Sequence, residues 1–485
     1  MKFDSLSFFL FIFFSLVVFH AVRRSPFRPL VLAGINAIFL CSFTSTLAQL
    51  WPLLFFILLG YVFIHIVQRA HSAVYLGLFV GLIILLFIYF KRYTAIDFLP
   101  PISSPYVVIG LSYILFRVIH LLIDAHDKAV PGKISFLNYF NFTCFFLNLV
   151  SGPIQRYQDF IKQDQSVQEV KLKPEEVYRA FSRITTGYIK IIFLAPFFFQ
   201  IPHPQYLNYA YVLGKLNGQG ALILSGWFVF AVLSFIFKLY MNFSGYMDVV
   251  IGIGKLFHYN LPENFDRPFS SANFLEFWRR WHITLAEWFK TYLFNPILKA
   301  MMHRFHSPLL VPYLGAFAYF MTFFVMGVWH GTTAMFFIYG LFLGVGVGVN
   351  KFYQVIMTKS LGKAQYQSLC AQPVYRQFSR GFACSYFCIA LTALWMDLGQ
   401  FMGLFGRSSW IVLVLGFGGI GIFLTGFLFV WDGLLEGLGF ARNHLRYFME
   451  SFFAKQLWLA VKVILISYLI LANINPAPVF VYQAF

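Results

Sequence analysis

Charge is the scarcest property of this chain. Only 11% of its 485 residues are Asp, Glu, Lys or Arg, against roughly 25% in soluble domains, and no water-soluble globular fold could hide the apolar surface that remains. The short alternating segments of a transmembrane β-barrel are missing as well. Five cysteines (Cys41, Cys144, Cys370, Cys384 and Cys388) form no CxxC pair. Four of them lie in apolar sequence, where a thiol behaves as a small hydrophobe, so neither a disulfide framework nor a zinc site is implied. Cys384 and Cys388 share a helix face at i and i+4, which packing explains without a metal. No GxSxG elbow is present, which removes a serine-hydrolase reading. There is no internal repeat and no low-complexity linker, and the longest polar stretch is too short to fold alone, so residues 1–485 are expected to form one membrane-embedded domain.

What fills the chain instead is hydrophobic sequence: 60% of residues, with a mean hydropathy of +0.73. Apolar runs of about 20 residues match the bilayer's hydrocarbon thickness, and spanning helices satisfy their own backbone there. The spans expected are Leu6–Val22, Pro29–Phe43, Trp51–Val67, Ala73–Phe90, Tyr106–Asp124, Ile134–Ser151, Arg183–Gln200, Leu222–Tyr240, Leu309–Trp329, Thr333–Val349, Phe382–Trp395, Trp410–Trp431 and Leu457–Leu471. Gln155–Tyr178 is too hydrophilic for lipid and reads as a loop, with one surface helix after Pro174. The glycine runs from Gly344 to Val349 and from Gly416 to Gly421 lie inside apolar segments, where close helix packing explains them better than phosphate binding.

Acidic residues are half as frequent as basic ones, 18 against 36, for a formal charge of +18. The basic residues (Arg23, Arg24 and Arg28; Lys91 and Arg92; Lys351; Arg376 and Arg380) sit beside apolar runs, as anchoring against anionic lipid requires. Nucleic acid is not an expected partner, because no basic and aromatic patch stands free of a membrane segment. Arg23 and Arg24 follow the first span directly, without a cleavage site, so an uncleaved anchor with an extracytoplasmic N-terminus is expected in a cell membrane.

One segment is neither span nor soluble loop. In NFLEFWRRWHITLAEWFKTY (Asn273–Tyr292), a 3.6-residue period puts Phe274, Trp278, Trp281, Leu285, Trp288, Phe289 and Tyr292 on one face, and Glu276, Arg279, Arg280, Glu287 and Lys290 on the other. It reads as an interfacial or re-entrant helix, with Asn273 as N-cap and Glu276 completing a capping box. His282 lies about 40° from Trp278 on that helix. Partial burial would keep it neutral and able to accept a proton; a headgroup-level histidine is the plainer alternative. Arg279 and Arg280 suit either anchoring or the phosphates of a donor.

His330, in FFVMGVWHGTTAMFF, is an ionisable residue in apolar sequence, where such groups usually mark function or a wet cavity. Gly327 and Gly331 beside it remove bulk where a substrate could approach. His303 and His306 have no carboxylate or cysteine close in sequence and read as part of a basic interfacial loop. Asp124, Asp248 and Asp397 lie at or shortly after the ends of expected spans, where acidic residues would suit a proton path, so a proton-coupled transporter or flippase is the alternative function.

With these residues in place, the sequence resembles the bacterial membrane-bound O-acyltransferases, including alginate O-acetyltransferases and the D-alanyl transfer protein of teichoic acid synthesis. The resemblance covers about residues 112–350. It is carried by SGPIQRYQDF (Ser151–Phe160), NFSGYMDVVIGIG (Asn242–Gly254), LPENFDRPF (Leu261–Phe269), EFWRRWHITLAEWFKTYLF (Glu276–Phe294) and MGVWHGTT (Met326–Thr333). It implies an all-α polytopic fold, about a dozen transmembrane helices with re-entrant helices around a tunnel. It also implies His330 as the catalytic residue, His282 as its companion, and Arg280, Trp281, Trp329 and Asn264 as candidates for holding substrate.

The implied reaction moves an acetyl or D-alanyl group from a cytoplasmic acyl-CoA or acyl carrier protein thioester to a hydroxyl of an extracytoplasmic polysaccharide or glycopolymer, directly or through a partner acyltransferase. No bound cofactor or metal is implied. Asn242 stands where the family pattern usually has aspartate, and NPILKAMMHRFHS follows Phe294 in place of a GGNR-like turn, which brings the chain nearer to the D-alanyl transfer proteins.

Overall fold

Helices dominate the computed structural model, which describes residues 5–44, 46–100, 110–130, 132–169, 171–200, 221–407, 410–449 and 451–471. Residues 106–109 of the fifth expected span lie outside them. Among the described residues, contacts define two units, one within residues 1–188 and 246–263 and the other within residues 189–245 and 264–478.

The first unit holds α1 (Leu6–Ala21), α2 (Arg28–Cys41), α3 (Trp51–Ala70), α4 (Ala73–Lys91), α5 (Leu111–His126), α6 (Phe136–Thr143), α7 (Tyr157–Ser166) and α8 (Pro174–Tyr188). α5 packs against α3 and α4 and is buried on nearly every face. Its Arg117, only 1% exposed, donates to the carbonyls of Phe142, Thr143 and Asn148 and to the Asn148 side chain. That guanidinium explains why the expected span Ile134–Ser151 does not form. α6 lasts eight residues, and the turns after it are tolerated because their carbonyls are satisfied inside protein rather than exposed to lipid. Gln155–Tyr178 differs in the other direction: besides the helix that starts at Pro174 as expected, it forms α7.

α2, α7 and the chain after Leu256 are joined by a buried ion pair. Arg28 donates to Asp164 at 2.8 Å, and the Tyr259 hydroxyl donates to the other Asp164 oxygen at 2.5 Å. Arg183 of α8 bonds Asp248 at 3.0 Å and both oxygens of Glu263 at 2.6 Å. Asp124 accepts from Gln158 at 2.6 Å.

The second unit begins after α8 and includes α9 (Ala195–Gln200) and most of α10 (Ala221–Leu256), whose last residues belong to the first. There follow α11 (Phe274–Trp278), α12 (Ile283–Phe289), α13 (Asn295–Arg304), α14 (Val311–Trp329), α15 (Ala334–Leu361), α16 (Lys363–Ala371), α17 (Pro373–Ala390), α18 (Leu398–Arg407), α19 (Trp410–Met449) and α20 (Phe452–Leu471). α14 and α15 form the tightest pair. A Cβ on Gly327 would stand 2.2 Å from Gly340 Cα, and one on Gly344 would stand 2.7 Å from the Phe320 carbonyl. Glycine here brings two backbones together, as expected for the run from Gly344.

Six helices among the described residues are long and apolar enough to cross a membrane, within Ala48–Ala70, Ala73–Lys91, Phe228–Leu256, Val311–Trp329, Ala334–Leu361 and Val414–Leu434; α1 and α2 are shorter apolar helices. Length and composition alone therefore account for fewer crossings than the dozen expected.

Candidate active site

The segment expected as one helix, Asn273–Tyr292, is broken. Its start is as the sequence predicts: the Asn273 side chain accepts from the Glu276 amide at 3.0 Å, and Glu276 accepts from the Ala272 amide at 3.0 Å. α11 then stops at Trp278 because the following residues turn to pair with the LPENFD segment. Phe265 and Trp281 form an antiparallel bridge, the Asp266 amide donates to the Arg280 carbonyl at 3.0 Å, and the Ile283 amide donates to the Asn264 carbonyl at 3.0 Å.

To leave this pairing and start α12, the chain passes through His282 at φ +47°, a left-handed conformation unusual for a residue with a Cβ. Strain of this kind costs on the order of 1–3 kcal/mol and persists where the surroundings over-determine it.

Those surroundings centre on Asn264, which is fully buried. Its Oδ1 accepts from the Thr284 amide at 3.0 Å, the Thr284 hydroxyl at 2.8 Å and His282 Nδ1 at 3.4 Å. The Thr284 amide can only donate, which fixes that atom as oxygen and makes His282 Nδ1 the protonated nitrogen. Nε2 then carries the lone pair. His282 is 1% exposed, and the edge of Phe243 of α10 lies 4.9 Å from its ring. Burial pushes its pKa well below the usual histidine value, and the neighbouring His330 pushes it the same way. The imidazole is therefore neutral.

His330 closes α14 and is 8% exposed. Its Nδ1 lies 2.7 Å from the Met326 carbonyl, one of the last four carbonyls of the helix, which have no helical partner. A carbonyl only accepts, so Nδ1 carries the proton and Nε2 the lone pair. Trp329 and Tyr339 approach the ring at 4.9 and 5.4 Å. Gly327 and Gly331 do a different job from the one expected. Gly327 admits the backbone of α15, and a Cβ on Gly331 would lie 2.0 Å from the Phe336 ring, so both serve packing that fixes the loop carrying His330.

The structure thus brings together His282, His330, Asn264 and Trp329. Arg280 faces elsewhere: it bonds Glu276 at 2.9 Å and Asp266 at 3.4 Å, tying the turn to the α11 capping box. Trp281 is buried among Phe277, Phe265 and Phe387. α17 contributes to this cluster unannounced by any motif. Phe387 touches Trp278 and Trp281, and Arg380 donates to the Phe269 carbonyl at 2.6 Å. Asn242 is buried one residue before Phe243, with no hydrogen-bond partner on its Nδ2 among the described residues.

A polytopic helical membrane protein with two buried, electrostatically coupled imidazoles is the class this geometry defines. The chain matches the membrane-bound O-acyltransferase (MBOAT) family over residues 63–395 and belongs to it. It is 29% identical over 327 residues to the teichoic acid D-alanyltransferase of Bacillus subtilis, covering 66% of this chain and 76% of that protein. The peptidoglycan O-acetyltransferase of Helicobacter pylori is 30% identical over 220 residues, 45% of this chain and 38% of that one. A protein of Pseudomonas putida named "Probable alginate O-acetylase AlgI" is 26% identical over 246 residues, 50% and 45% of the two chains. This chain thus spans three quarters of the first of these relatives and less than half of the other two.

Proposed function

We propose that this membrane O-acyltransferase moves an acetyl or D-alanyl group from a cytoplasmic thioester donor, acyl-CoA or an acyl carrier protein, to a hydroxyl of an extracytoplasmic polysaccharide or glycopolymer. The supporting observation is the His330 tautomer, with Nδ1–H held by Met326 so that Nε2 is the basic nitrogen. Nε2 takes the proton of the acceptor hydroxyl as its oxygen attacks the thioester carbonyl. The C–S bond breaks, and the proton passes to the departing thiolate, which regenerates His330. His282 is a neutral second imidazole that positions or polarises a reactant, oriented by Asn264, while Trp329 walls the first. Arg280 and Trp281 shape the turn that carries His282, and a direct donor contact by Arg280 would appear as a raised donor KM in Arg280→Gln.

The names of the relatives support both acyl groups and a glycopolymer acceptor. The basic residues after α1 support an N-terminus outside the cell membrane. The acidic residues behind the transporter alternative have structural partners. Asp248 is paired with Arg183, Asp124 with Gln158, and Asp397 accepts from the Gln400 amide at 2.7 Å at the start of α18. Purified protein in liposomes, offered labelled acyl donor and glycopolymer, should attach label covalently to the acceptor. Movement of solute without covalent labelling would establish transport instead.

A further inference from the structure

We propose that the first unit holds one anionic phospholipid, an acyl chain lying in an apolar groove along α3 and the phosphate among basic side chains at the end of that helix. Leu54, Leu58, Tyr61, His65 and Gln68 recur at intervals of three and four, so they form one stripe of α3. The first part of the stripe borders a groove of about 560 Å³, completed by Ala33, Gly34 and Ala37 of α2 and by Phe136 and Phe140 of α6. Every residue lining it is apolar. The second part borders a cavity of about 490 Å³ whose walls include Arg69, His71, Lys128 and Lys133. The two meet at Tyr61, which lines the cavity and whose ring lies 5.2 Å from that of Phe136 in the groove.

Charge decides the occupant. Arg69, Lys128 and Lys133 are exposed, and no ion pair among the described residues uses them; the adjacent Asp127 is bonded to His126 at 2.8 Å. Leu54 and Leu58 are about half exposed on the same helix, the pattern of a surface facing lipid. A phosphate diester carrying an acyl chain satisfies the cations and the groove together, whereas a soluble phosphate would leave the groove unused. From Leu54 to Gln68 the stripe runs about 21 Å at 1.5 Å per residue, so one molecule from one leaflet of a ~30 Å hydrocarbon layer can follow it.

The groove can be blocked without disturbing the fold, because a Cβ on Gly34 would meet nothing within 4 Å. The test is native mass spectrometry of protein released from nanodiscs of equal phosphatidylglycerol and phosphatidylcholine, with thermal unfolding run alongside to confirm that each variant is folded. The wild type should retain one phosphatidylglycerol in preference to phosphatidylcholine. Arg69→Gln with Lys133→Gln should weaken that retention about 30-fold, at about fivefold per cation near a membrane surface. Gly34→Leu should lose the bound lipid while remaining folded. Equal retention of the two lipids by the wild type, or an undiminished preference in the charge variant, overturns the proposal. So does displacement of the lipid by adenosine 3′,5′-bisphosphate that binds wild type and Gly34→Leu equally, because the basic cavity would then serve a soluble phosphate.

Discussion

Replacing Asn264 by alanine should disable the support of His282 while leaving His282 in the chain. Three donors converge on the Asn264 side-chain oxygen. The Thr284 hydroxyl can rotate toward another acceptor and the imidazole contact is long, so the main loss is the Thr284 amide at 3.0 Å. A buried donor left without an acceptor costs about 1–3 kcal/mol, and with the weakened imidazole contact the expected loss is about 2–4 kcal/mol. That is a large share of a typical stability of about 5–15 kcal/mol, but it leaves a folded population. Asn264→Asp separates orientation from charge. It keeps the acceptor but sets a carboxylate against Nδ1, raising the His282 pKa and favouring the imidazolium. Each variant is to be followed by thermal unfolding in nanodiscs and by the pH profile of acyl transfer. Asn264→Ala should be less stable and slower at every pH, while Asn264→Asp should be inactive at low pH and recover as pH rises. In a double-mutant cycle, Asn264→Ala and Thr284→Ala should be strongly non-additive. Additive losses, or an Asn264→Ala protein within about 0.5 kcal/mol of wild type, would refute the claim that this oxygen organises the site.

Because His282 sits at φ +47°, His282→Gly should unfold at a higher temperature than His282→Ala, by about 1 kcal/mol in stability, although both lose the imidazole; equal stabilities would contradict the strained geometry. Asp164→Ala leaves Arg28, 4% exposed, as a buried cation without its carboxylate, and should destabilise by about 3–5 kcal/mol in denaturation assays. Burial, with His20 and Arg23 alongside, lowers the His258 pKa to about 4 from an ordinary 6.5. The unfolded chain therefore binds this proton first. The stability this neutral imidazole contributes is fully present above pH 6.5 and is lost as pH falls from there through about 4. Melting curves across that range should flatten in His258→Asn, a residue that tolerates the left-handed φ of +65° found there.

His330 stands out in the sequence because it interrupts an apolar run, and His282 because it lies at the edge of the aromatic face of an amphipathic segment; the roles proposed for them come from the ordered motifs. The break between α11 and α12 does not stand out. Asn273–Tyr292 satisfies a helical period throughout, and what ends α11 is pairing with Asn264–Asp266, a partner that local periodicity does not reveal. Ile134–Ser151 misled in a related way. Its apolar composition is real and residues 141–151 are buried, but Arg117 from another helix supplies the hydrogen bonds that let the backbone leave the helix. At Gly344 glycine serves helix packing, as its place in an apolar run implies, whereas at Gly327 and Gly331 the sequence suggests open space that the structure fills. A missing side chain looks the same in sequence whether a substrate or Gly340 and Phe336 fill the gap.

The central claim is that His330 Nε2 removes the proton of the acceptor hydroxyl. Its most direct test is kcat for acyl transfer by His330→Ala, in preparations shown to be monodisperse and to melt as wild type does. General-base catalysis contributes about 10² to 10⁴ in rate, so label transfer should fall by at least that order while donor binding persists. Near-normal transfer by a well-folded His330→Ala protein would contradict the account.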